Sequence, residues 1–330
     1  MSRDTSKENR EAMRSSNPGF QPKSKDREEA EAVEIGGVSL TRPEKILFPS
    51  SAFTKGDLAS YYDKVADAML SFMGKRPLTL IRCPQGEGSD CFYQRHPGFG
   101  IPPAIQSHAH VLGDGAEKEW LMIDSREGIV ALAQIGVVEV HAWLSRADLV
   151  TCPDQMVFDL DPGPGVTRSQ LRSATLLVAE ECSKLGFTPY LKSTGGKGFH
   201  VVVPVEPLWD FSRVHALTRL FAESIAGRLP ERFTSKMAKN ARGGRVFIDY
   251  LRNSEGASAV APYSTRNRPG PPCAVPLDWS ELTDTLVTAD FTPAVVAARV
   301  AARLDPWAGF FDTAAGEETL HAAEEALASR

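Results

Sequence analysis

The sequence predicts an α+β fold in which a ferredoxin-like sheet carries its helices on one side. The prediction depends on the order of elements between residues 157 and 250, which is strand, helix, hairpin, helix and strand. This order is typical of the split βαβ unit. Apolar residues recur at helical spacing in the two helices, whereas the strands are short apolar runs. Helices and strands thus belong to one sheet unit.

The chain before this unit divides into a tail and an N-terminal α/β extension. Residues 1–33 are rich in Ser, Lys, Glu and Arg and contain few apolar residues, which predicts a disordered tail. Folded structure is expected to begin near Glu34. The extension is then expected to contain a helix capped by Thr54, a strand over 76–82, a helix over 127–135 and a strand over 137–143.

The elements of the sheet unit follow in order. We expect a strand from Val157, a helix whose apolar stripe ends at Gly186, strands over 188–192 and 200–205, a helix over 212–229 and a strand over 246–250. Residues 34–312 are predicted to form one domain. Residues 313–330 are predicted to form a C-terminal helix or tail.

Composition excludes several classes of protein. The chain has 330 residues, of which 42% are hydrophobic, and this length suits one large or two small domains. It contains no apolar run long enough for a membrane span and no signal segment, so we expect a cytoplasmic protein without a membrane partner. The five cysteines lack a Cys-x-x-Cys pair, which disfavours a zinc site and predicts buried thiols in a reducing compartment.

Two acids share one face of the first strand of the sheet unit. Alternate side chains of a strand point the same way, so Asp159 and Asp161 lie together while Phe158 and Leu160 enter the core. Neighbouring carboxylates repel unless a cation lies between them, and Mg2+ or Mn2+ suits such oxygen ligands. Asp249 on the last strand is a candidate third ligand of a two-metal site. Alternatively, the Asp-x-Asp pair only ends a strand before a Pro-Gly-Pro-Gly turn.

A glycine-rich turn over 195–198 supplies a second chemical signal. Glycines allow backbone N–H groups to approach an anion, and Thr194, Lys197 and His200 add a hydroxyl, an ammonium and an imidazole. The spacing is not that of a Walker phosphate loop, and the turn alone could be a flexible hairpin. Acids and a phosphate turn together predict a metal-dependent nucleotidyl-transfer site.

At this point the sequence resembles the polymerase domain of bacterial ligase D, of the archaeo-eukaryotic primase superfamily, over about residues 40–311. The motifs that carry the resemblance are Phe158-Asp-Leu-Asp-Pro, Lys192-Ser-Thr-Gly-Gly-Lys-Gly-Phe-His, Phe247-Ile-Asp-Tyr-Leu-Arg-Asn, Ala261-Pro-Tyr-Ser-Thr-Arg and Asp305-Pro-Trp. The resemblance implies a primase-polymerase fold, with a catalytic sheet like that of an RNA-recognition motif.

The resemblance also implies roles for individual residues. Asp159, Asp161 and Asp249 match the catalytic, metal-binding aspartates. The residues that match the triphosphate-binding positions are Thr194, Lys197, His200, Arg252 and Arg266. Thr194 departs from the serine that is common in the family, which keeps the hydroxyl and adds a methyl group. His141 is expected to lie near the site, or else to be a hydrogen-bonded structural histidine.

Residues that contact DNA are expected outside this site. By resemblance, Lys45 and Lys55 match a lysine pair that holds the 5′-phosphate across a gap, although both could be ordinary solvated lysines. Phe92 and Tyr93 lie in a polar setting, where an exposed ring could stack on a template base, or both rings could be core residues. The net charge of -5 favours weak or end-specific DNA binding that relies on local basic patches.

The function implied is template-directed addition of nucleoside triphosphates to DNA 3′ ends, at gaps and broken ends, in non-homologous end joining. The resemblance implies a preference for ribonucleotides and Mn2+, with Ku and an ATP-dependent DNA ligase as partners. The sequence lacks a Lys-x-Asp-Gly ligase nucleophile, so we expect a polymerase module alone. The alternatives are a stand-alone primase and a catalytically idle DNA-end-binding module.

Overall fold

A computed structural model of the chain describes residues 32–111, 115–303 and 305–329. The predicted tail over 1–33 lies almost wholly outside these residues, and Val33 already belongs to a strand. The helices are α1 (Lys55–Met73), α2 (Arg126–Gln134), α3 (Arg168–Lys184), α4 (Phe211–Arg228), α5 (Pro293–Ala301) and α6 (Glu317–Ala328). The strands are β1 (Val33–Ile35), β2 (Val38–Leu40), β3 (Ile46–Phe48), β4 (Phe53–Thr54), β5 (Leu78–Arg82), β6 (Phe92–Gln94), β7 (Gln106–Val111), β8 (Glu117–Met122), β9 (Val137–Ala142), β10 (Gln155–Pro162), β11 (Tyr190–Ser193), β12 (Phe199–Pro204), β13 (Phe233–Thr234), β14 (Val246–Asp249), β15 (Ala259–Val260) and β16 (Val275–Leu277).

The larger sheet contains the predicted ferredoxin-like unit. Its strand order is β13-β14-β10-β12-β11-β16, and the inner four strands are those of the split βαβ unit. The two helices of the unit, α3 and α4, contact β10. On this face the Phe158 ring packs against Phe221 of α4, with centroids 4.5 Å apart. The α+β fold and the ferredoxin-like sheet are therefore confirmed.

The register of this sheet brings three polar side chains together on its other face. Asp159 of β10 lies directly opposite Asp249 of β14 and, on the other side, opposite His200 of β12. Directly opposite residues of neighbouring strands share a face. All three therefore point away from Phe158 and the helices, because successive side chains alternate along a strand.

The N-terminal extension supplies β9, β5 and β6 of a second sheet of order β15-β9-β5-β6, and β15 comes from the chain after the sheet unit. The helix α1 begins with the predicted cap, in which Thr54 and Asp57 bond reciprocally to backbone N–H groups. The α1 residues Tyr61 and Tyr62 hydrogen-bond to Tyr263 O and Thr265 Oγ1, at 2.7 and 3.2 Å. These bonds fix the segment after β15, which leads to Arg266.

The strand predicted over residues 76–82 is β5, which begins two residues later, at Leu78. The Arg76 guanidinium is buried and makes two hydrogen bonds to the Asp154 carboxylate, at 2.6 and 2.7 Å. A buried charge requires such a partner, and this requirement sets the conformation before the strand. The β7–β8 hairpin was not predicted, because the side chains of β7 are polar and mostly exposed.

The C-terminal residues pack on the sheet unit. Helix α6 contacts α4 and buries Leu320, Ala323 and Leu327. The indole of Trp307, from the Asp305-Pro-Trp motif, donates to Leu191 O of β11 at 2.9 Å. That motif therefore anchors the chain to strand β11 of the larger sheet.

The expectation that all five cysteines are thiols is wrong. Cys83 and Cys91 form a disulfide, with their Cα atoms 4.4 Å apart. The reason is the β5–β6 register, in which Arg82 pairs with Phe92 and sets the two flanking cysteines side by side. The thiols of Cys152, Cys182 and Cys273 are free. None of the described helices combines the length and apolar character of a membrane span.

Candidate active site

Two buried carboxylates face each other across the β10–β14 pair. Asp159 and Asp249 are both buried. The Arg252 Nε atom lies 3.3 Å from Asp249 Oδ2 and 3.7 Å from Asp159 Oδ2. Arg252 holds this place because Asn253 bonds both backbone groups of Val157, at 2.8 Å each, and so fixes the turn beside β10. A cationic group therefore already lies close to both acids.

Asp161 lies farther along the same face of β10 and is more exposed. Its Oδ2 atom is 3.5 Å from Arg242 Nη1. Burial and the charge of Asp159 raise the pKa of Asp161 to about 6. The raised pKa indicates that the acids repel one another and that the pair favours additional positive charge.

The acids suit a divalent cation by their chemistry. Among residues 32–111, 115–303 and 305–329, no three His, Cys, Asp or Glu side chains stand in a ready-made metal-binding group. The guanidinium groups of Arg252 and Arg242 instead pair with the three aspartates and offset only part of their charge. An all-carboxylate set with mutual repulsion fits Mg2+ or Mn2+, which prefer oxygen ligands. Asp159, Asp161 and Asp249 therefore form a plausible donor set for such a metal.

His200 is buried and lies next to Asp159. Its Nε2 atom lies 3.4 Å from Asp159 Oδ1, and the side chain is buried. Burial lowers the pKa of His200 to about 4, so the imidazole is neutral at physiological pH. The residue lines the cavity described below, as the sequence predicts, but its observed partner is Asp159.

The glycine-rich turn closes the site on the β11–β12 side. Thr194 Oγ1 donates to Gly198 O at 2.9 Å and accepts from Gly196 N at 3.2 Å. Gly195 has a φ of +63°, and an added Cβ would lie 2.9 Å from the Cys273 carbonyl. Only glycine fits there without strain. The turn is thus a hydrogen-bonded hairpin packed closely against Cys273.

The opposite wall comes from the second sheet. His141 of β9 and the β15 residues line it, together with Arg266 and Arg268. The Arg266 Nη1 atom donates to Thr194 O, which joins this wall to the glycine turn. His141 Nε2 lies 2.6 Å from Glu139 Oε1. The prediction that His141 lies near the site and the alternative of a hydrogen-bonded histidine are therefore both true.

These walls enclose a cavity of about 400 Å³, which we call the acidic cavity. Its polar and charged lining residues are His141, Asp159, Asp161, Thr194, Lys197, His200, Arg252, Ser258, Arg266 and Arg268. A cavity of this size suits a small-molecule ligand. Every predicted catalytic or nucleotide-binding residue lines it except Asp249, which lies beside Asp159 on the neighbouring strand.

Lys45 and Lys55 lie together at a separate place, which we call the basic pocket. Arg42, Lys45, Lys55 and Arg82 line it, in a volume of about 270 Å³. Lys55 is buried and donates to Thr41 O at 2.7 Å and to Gln134 Oε1 at 3.1 Å. Lys55 is therefore not an ordinary solvated lysine. Lys45 Nζ donates to Pro84 O.

Phe92 and Tyr93 are exposed on β6. The exposed fractions are 46% for Phe92 and 69% for Tyr93, so neither ring is a core residue. The Arg82 guanidinium lies 5.3 Å from the centroid of the Phe92 ring. Because Arg82 also lines the basic pocket, the aromatic pair and this pocket are neighbours.

Three site residues were missed by sequence reasoning. Glu139, Arg242 and Arg268 contact or line the acidic cavity without having been assigned to it. The alternation of Glu139 and His141 on one strand places both on one face and could have indicated Glu139. Arg268 stands two residues after Arg266 in a loop, where spacing carries no such information.

The chain matches a known protein family over most of its length. The profile described as LigD, primase-polymerase domain, matches residues 54–307. The chain belongs to the LigD primase-polymerase family. The resemblance inferred from the motifs is thereby confirmed, and so is the enzyme class, since a primase-polymerase domain is a nucleotidyltransferase.

Relatives and a solved structure agree with this family. The multifunctional non-homologous end joining protein LigD of Pseudomonas aeruginosa is 35% identical over 254 residues, which are 77% of this chain and 30% of the relative. The bifunctional LigD of Bacillus subtilis is 29% identical over 83% of this chain and 44% of its own length. The polymerase domain from Mycobacterium tuberculosis ligase D in complex with DNA superposes with a TM-score of 0.78 at 29% identity, over 84% of this chain and 99% of that domain. The chain thus spans less than half the length of these full-length relatives.

Proposed function

We propose that the chain is a template-directed polymerase that adds nucleotides to DNA 3′ ends and fills gaps during non-homologous end joining. The observation that carries the proposal is the acidic cavity, where aspartates on one wall face the glycine turn and the cations of the other walls. Phosphoryl transfer is catalysed mainly by positioning and by charge stabilisation, and this combination supplies both.

The triphosphate would bind at the cationic side of the acidic cavity. Lys197 and Arg266 provide positive charge, and the bond from the Gly196 N–H to Thr194 Oγ1 holds the turn that carries Lys197. Arg252 adds a guanidinium near the aspartates. Buried His200 is neutral and therefore adds no charge to the site. It would orient Asp159 or hydrogen-bond to the nucleotide.

Asp159, Asp161 and Asp249 would hold two divalent metal ions, Mn2+ or Mg2+. Such ions supply charge neutralisation at the phosphates and activation of the primer 3′-oxygen. The chain's own contribution is to hold the three carboxylates in register on neighbouring strands. With metal ions bound at the acids, the charges of Arg252 and Arg242 would become available to the phosphates.

The DNA would bind between the basic pocket and the aromatic pair. A terminal 5′-phosphate carries more charge than an internal one, and Lys45 and Lys55 offer cations whose hydrogen bonds within the described part of the chain go to neutral oxygens. Exposed Phe92 and Tyr93 provide surfaces on which a template base can stack. This arrangement supports recognition of a gap or a broken end.

The relatives suggest the setting of this reaction. They are named as non-homologous end joining proteins, and the matching Mycobacterium tuberculosis domain is in complex with DNA. We extend to this chain the partners expected from the sequence, which are Ku and an ATP-dependent DNA ligase. An idle end-binding module has no use for three clustered aspartates.

A primer-extension assay on gapped DNA tests the proposal. Ribonucleotides and deoxyribonucleotides are supplied separately with Mn2+ or Mg2+, and we expect template-dependent addition that favours ribonucleotides and Mn2+. A parallel reaction on single-stranded DNA without a primer tests for a primase. Synthesis only in that reaction, or no synthesis in either, would contradict the proposal.

A further inference from the structure

Glu139 is a buried acid beside the acidic cavity, and it belongs to none of the family motifs. It lies on β9 and is only 5% exposed, and it does not itself line the cavity. Its Oε1 atom lies 2.6 Å from His141 Nε2 and 2.9 Å from Arg266 Nε. Its Oε2 atom accepts a hydrogen bond from the Asn267 N–H at 3.0 Å. Because a carboxylate only accepts hydrogen bonds, the Nε2 atom of His141 must be the donor.

The contacts of Glu139 hold two groups that do line the cavity. Arg266 is fixed from two sides, since its Nε atom meets Glu139 and its Nη1 atom donates to Thr194 O in the glycine turn. His141 is fixed by the short contact to Glu139 alone among the described residues. Burial opposes ionisation of Glu139, but the bond from His141 and the charge of Arg266 lower its pKa to about 2. Glu139 is therefore a carboxylate throughout the physiological range.

We infer that Glu139 is a positioning residue for the nucleoside triphosphate, acting through Arg266 and His141. The inference rests on the proposed function and assigns a residue that the motifs do not include. Glu139 holds the Arg266 guanidinium across the cavity towards the glycine turn and fixes the face that His141 presents. The triphosphate then meets cations and donors already in place, which reduces the ordering cost of binding.

Electrostatic repulsion alone predicts the opposite change in nucleotide affinity when the Glu139 charge is removed. A carboxylate near a triphosphate repels it, so its removal should by itself tighten binding. Positioning predicts weaker binding instead. The two effects can therefore be separated by the direction in which the KM for the nucleotide changes.

Glu139→Gln is the decisive variant because it keeps the shape of the side chain. The Arg266 guanidinium pairs with Oε1 of the carboxylate, and the Asn267 N–H donates to Oε2. An amide has one acceptor oxygen, and its NH2 group can only donate. The NH2 group therefore faces either the Arg266 guanidinium or the Asn267 N–H, and the arrangement around Arg266 loosens.

The test is steady-state addition of one nucleotide to gapped DNA with Mn2+. We expect Glu139→Gln to raise the KM for the nucleoside triphosphate about tenfold, equal to about 1.4 kcal/mol, with kcat changed much less. DNA affinity should stay the same. An unchanged or lower KM would overturn the inference while leaving the polymerase function intact. A wild-type chain that adds no nucleotide would overturn the proposed function itself.

Glu181→Gln is a matched control. Glu181 is equally buried, at 5% exposed, and its ion pairs are with Arg228 and Lys184 on the helix side of the sheet. None of these residues lines the acidic cavity. Both variants should lower the melting temperature, but only Glu139→Gln should raise the KM. A similar KM increase in Glu181→Gln would show a general loss of stability and would contradict the inference.

A double-mutant cycle tests whether Glu139 acts through Arg266. If it does, Glu139→Gln should raise the KM of the Arg266→Ala variant only slightly further, because each change removes the same Glu139–Arg266 contact. Fully additive effects would contradict this route. Arg266→Lys serves if Glu139→Gln fails to fold, since lysine keeps the charge but has no second group to reach Thr194 O. A wild-type KM in Arg266→Lys would contradict the positioning role.

Discussion

The acidic cavity and the basic pocket both suit phosphate, but they hold their cations in opposite ways. In the acidic cavity, Arg242, Arg252 and Arg266 lie within ion-pair distance of carboxylates. In the basic pocket, neither Lys45 nor Lys55 has a carboxylate at ion-pair distance among the described residues, and both bond to neutral oxygens.

This difference determines what each place needs in order to bind phosphate. The aspartates of the acidic cavity need divalent cations, because Arg242 and Arg252 beside them carry less charge than the three acids and are already paired with them. The basic pocket needs none, since its lysines bond to neutral oxygens and Glu44, whose charge acts on Lys55, lies beyond ion-pair distance. The comparison teaches that nucleotide addition should depend on metal, whereas recognition of the DNA end should not. The predictions below test this division, from the largest expected effect to the smallest.

Replacement of any of the three aspartates by asparagine should have the largest effect. Asp159→Asn, Asp161→Asn and Asp249→Asn each remove a ligand charge, and a hard-cation site depends on that charge. We expect single-turnover addition to fall by about 10³-fold or more, a loss of several kcal/mol of transition-state stabilisation. The affinity for gapped DNA, measured by fluorescence anisotropy, should be retained.

Asp154→Asn is the control for these variants. Asp154 is also a buried aspartate, but it directly precedes β10, its partner is Arg76, and neither residue lines the acidic cavity. This variant should lose stability, because removal of one partner leaves a buried charge unpaired, and the folded fraction should still add nucleotides. Near wild-type addition by any of the three site variants would contradict the assignment of the acids.

Loss of both lysines of the basic pocket should have an intermediate effect. In Lys45→Ala with Lys55→Ala, we expect the preference for a 5′-phosphorylated end to disappear, a change of about tenfold, since a charge-assisted hydrogen bond contributes about 1.5 to 3 kcal/mol. Two gapped substrates that differ only in that phosphate measure the preference by equilibrium binding. Addition to the unphosphorylated substrate should not change, and a double variant that keeps the preference would refute the role of this pocket.

The pH dependence of end recognition should give the smallest effect. Burial and the charges of Arg42 and Lys45 lower the pKa of Lys55 to about 8. Lys55 is therefore charged below this pH and loses its proton as the pH rises through it. The 5′-phosphate itself is fully ionised well below that range. The ratio of affinities for phosphorylated and unphosphorylated ends should fall between about pH 7.5 and 9.5. Lys55→Ala should show no such fall, and a wild-type ratio that stays constant would contradict the role of Lys55.

The larger sheet and its acids could be predicted because both depend on local alternation. Asp159 and Asp161 share a face in any strand, and the apolar residues between them show which face is buried. The register that sets Asp159 opposite Asp249 is a long-range property, and the family motifs implied only that the three aspartates belong to one site. Residue identity and spacing were thus sufficient for one wall of the acidic cavity.

The other wall could not be predicted in the same way. Glu139 meets Arg266 because β9 pairs with β15 and the chain then returns past the glycine turn, so the contact joins residues distant in sequence. Cys83 and Cys91 meet through the register of a hairpin whose second strand, β6, carries few buried residues. Such contacts follow from tertiary packing, and single-residue patterns do not record them.

Removal of divalent metal from a gapped-DNA reaction tests the central division most directly. One experiment measures both nucleotide addition and the preference for a 5′-phosphate, with Mn2+ or with excess chelator, on substrates that carry or lack the phosphate. We predict that the chelator abolishes addition, that restored Mn2+ recovers it, and that the preference for the phosphorylated end is the same in both conditions. Addition without metal, or loss of the end preference with the metal, would contradict the account.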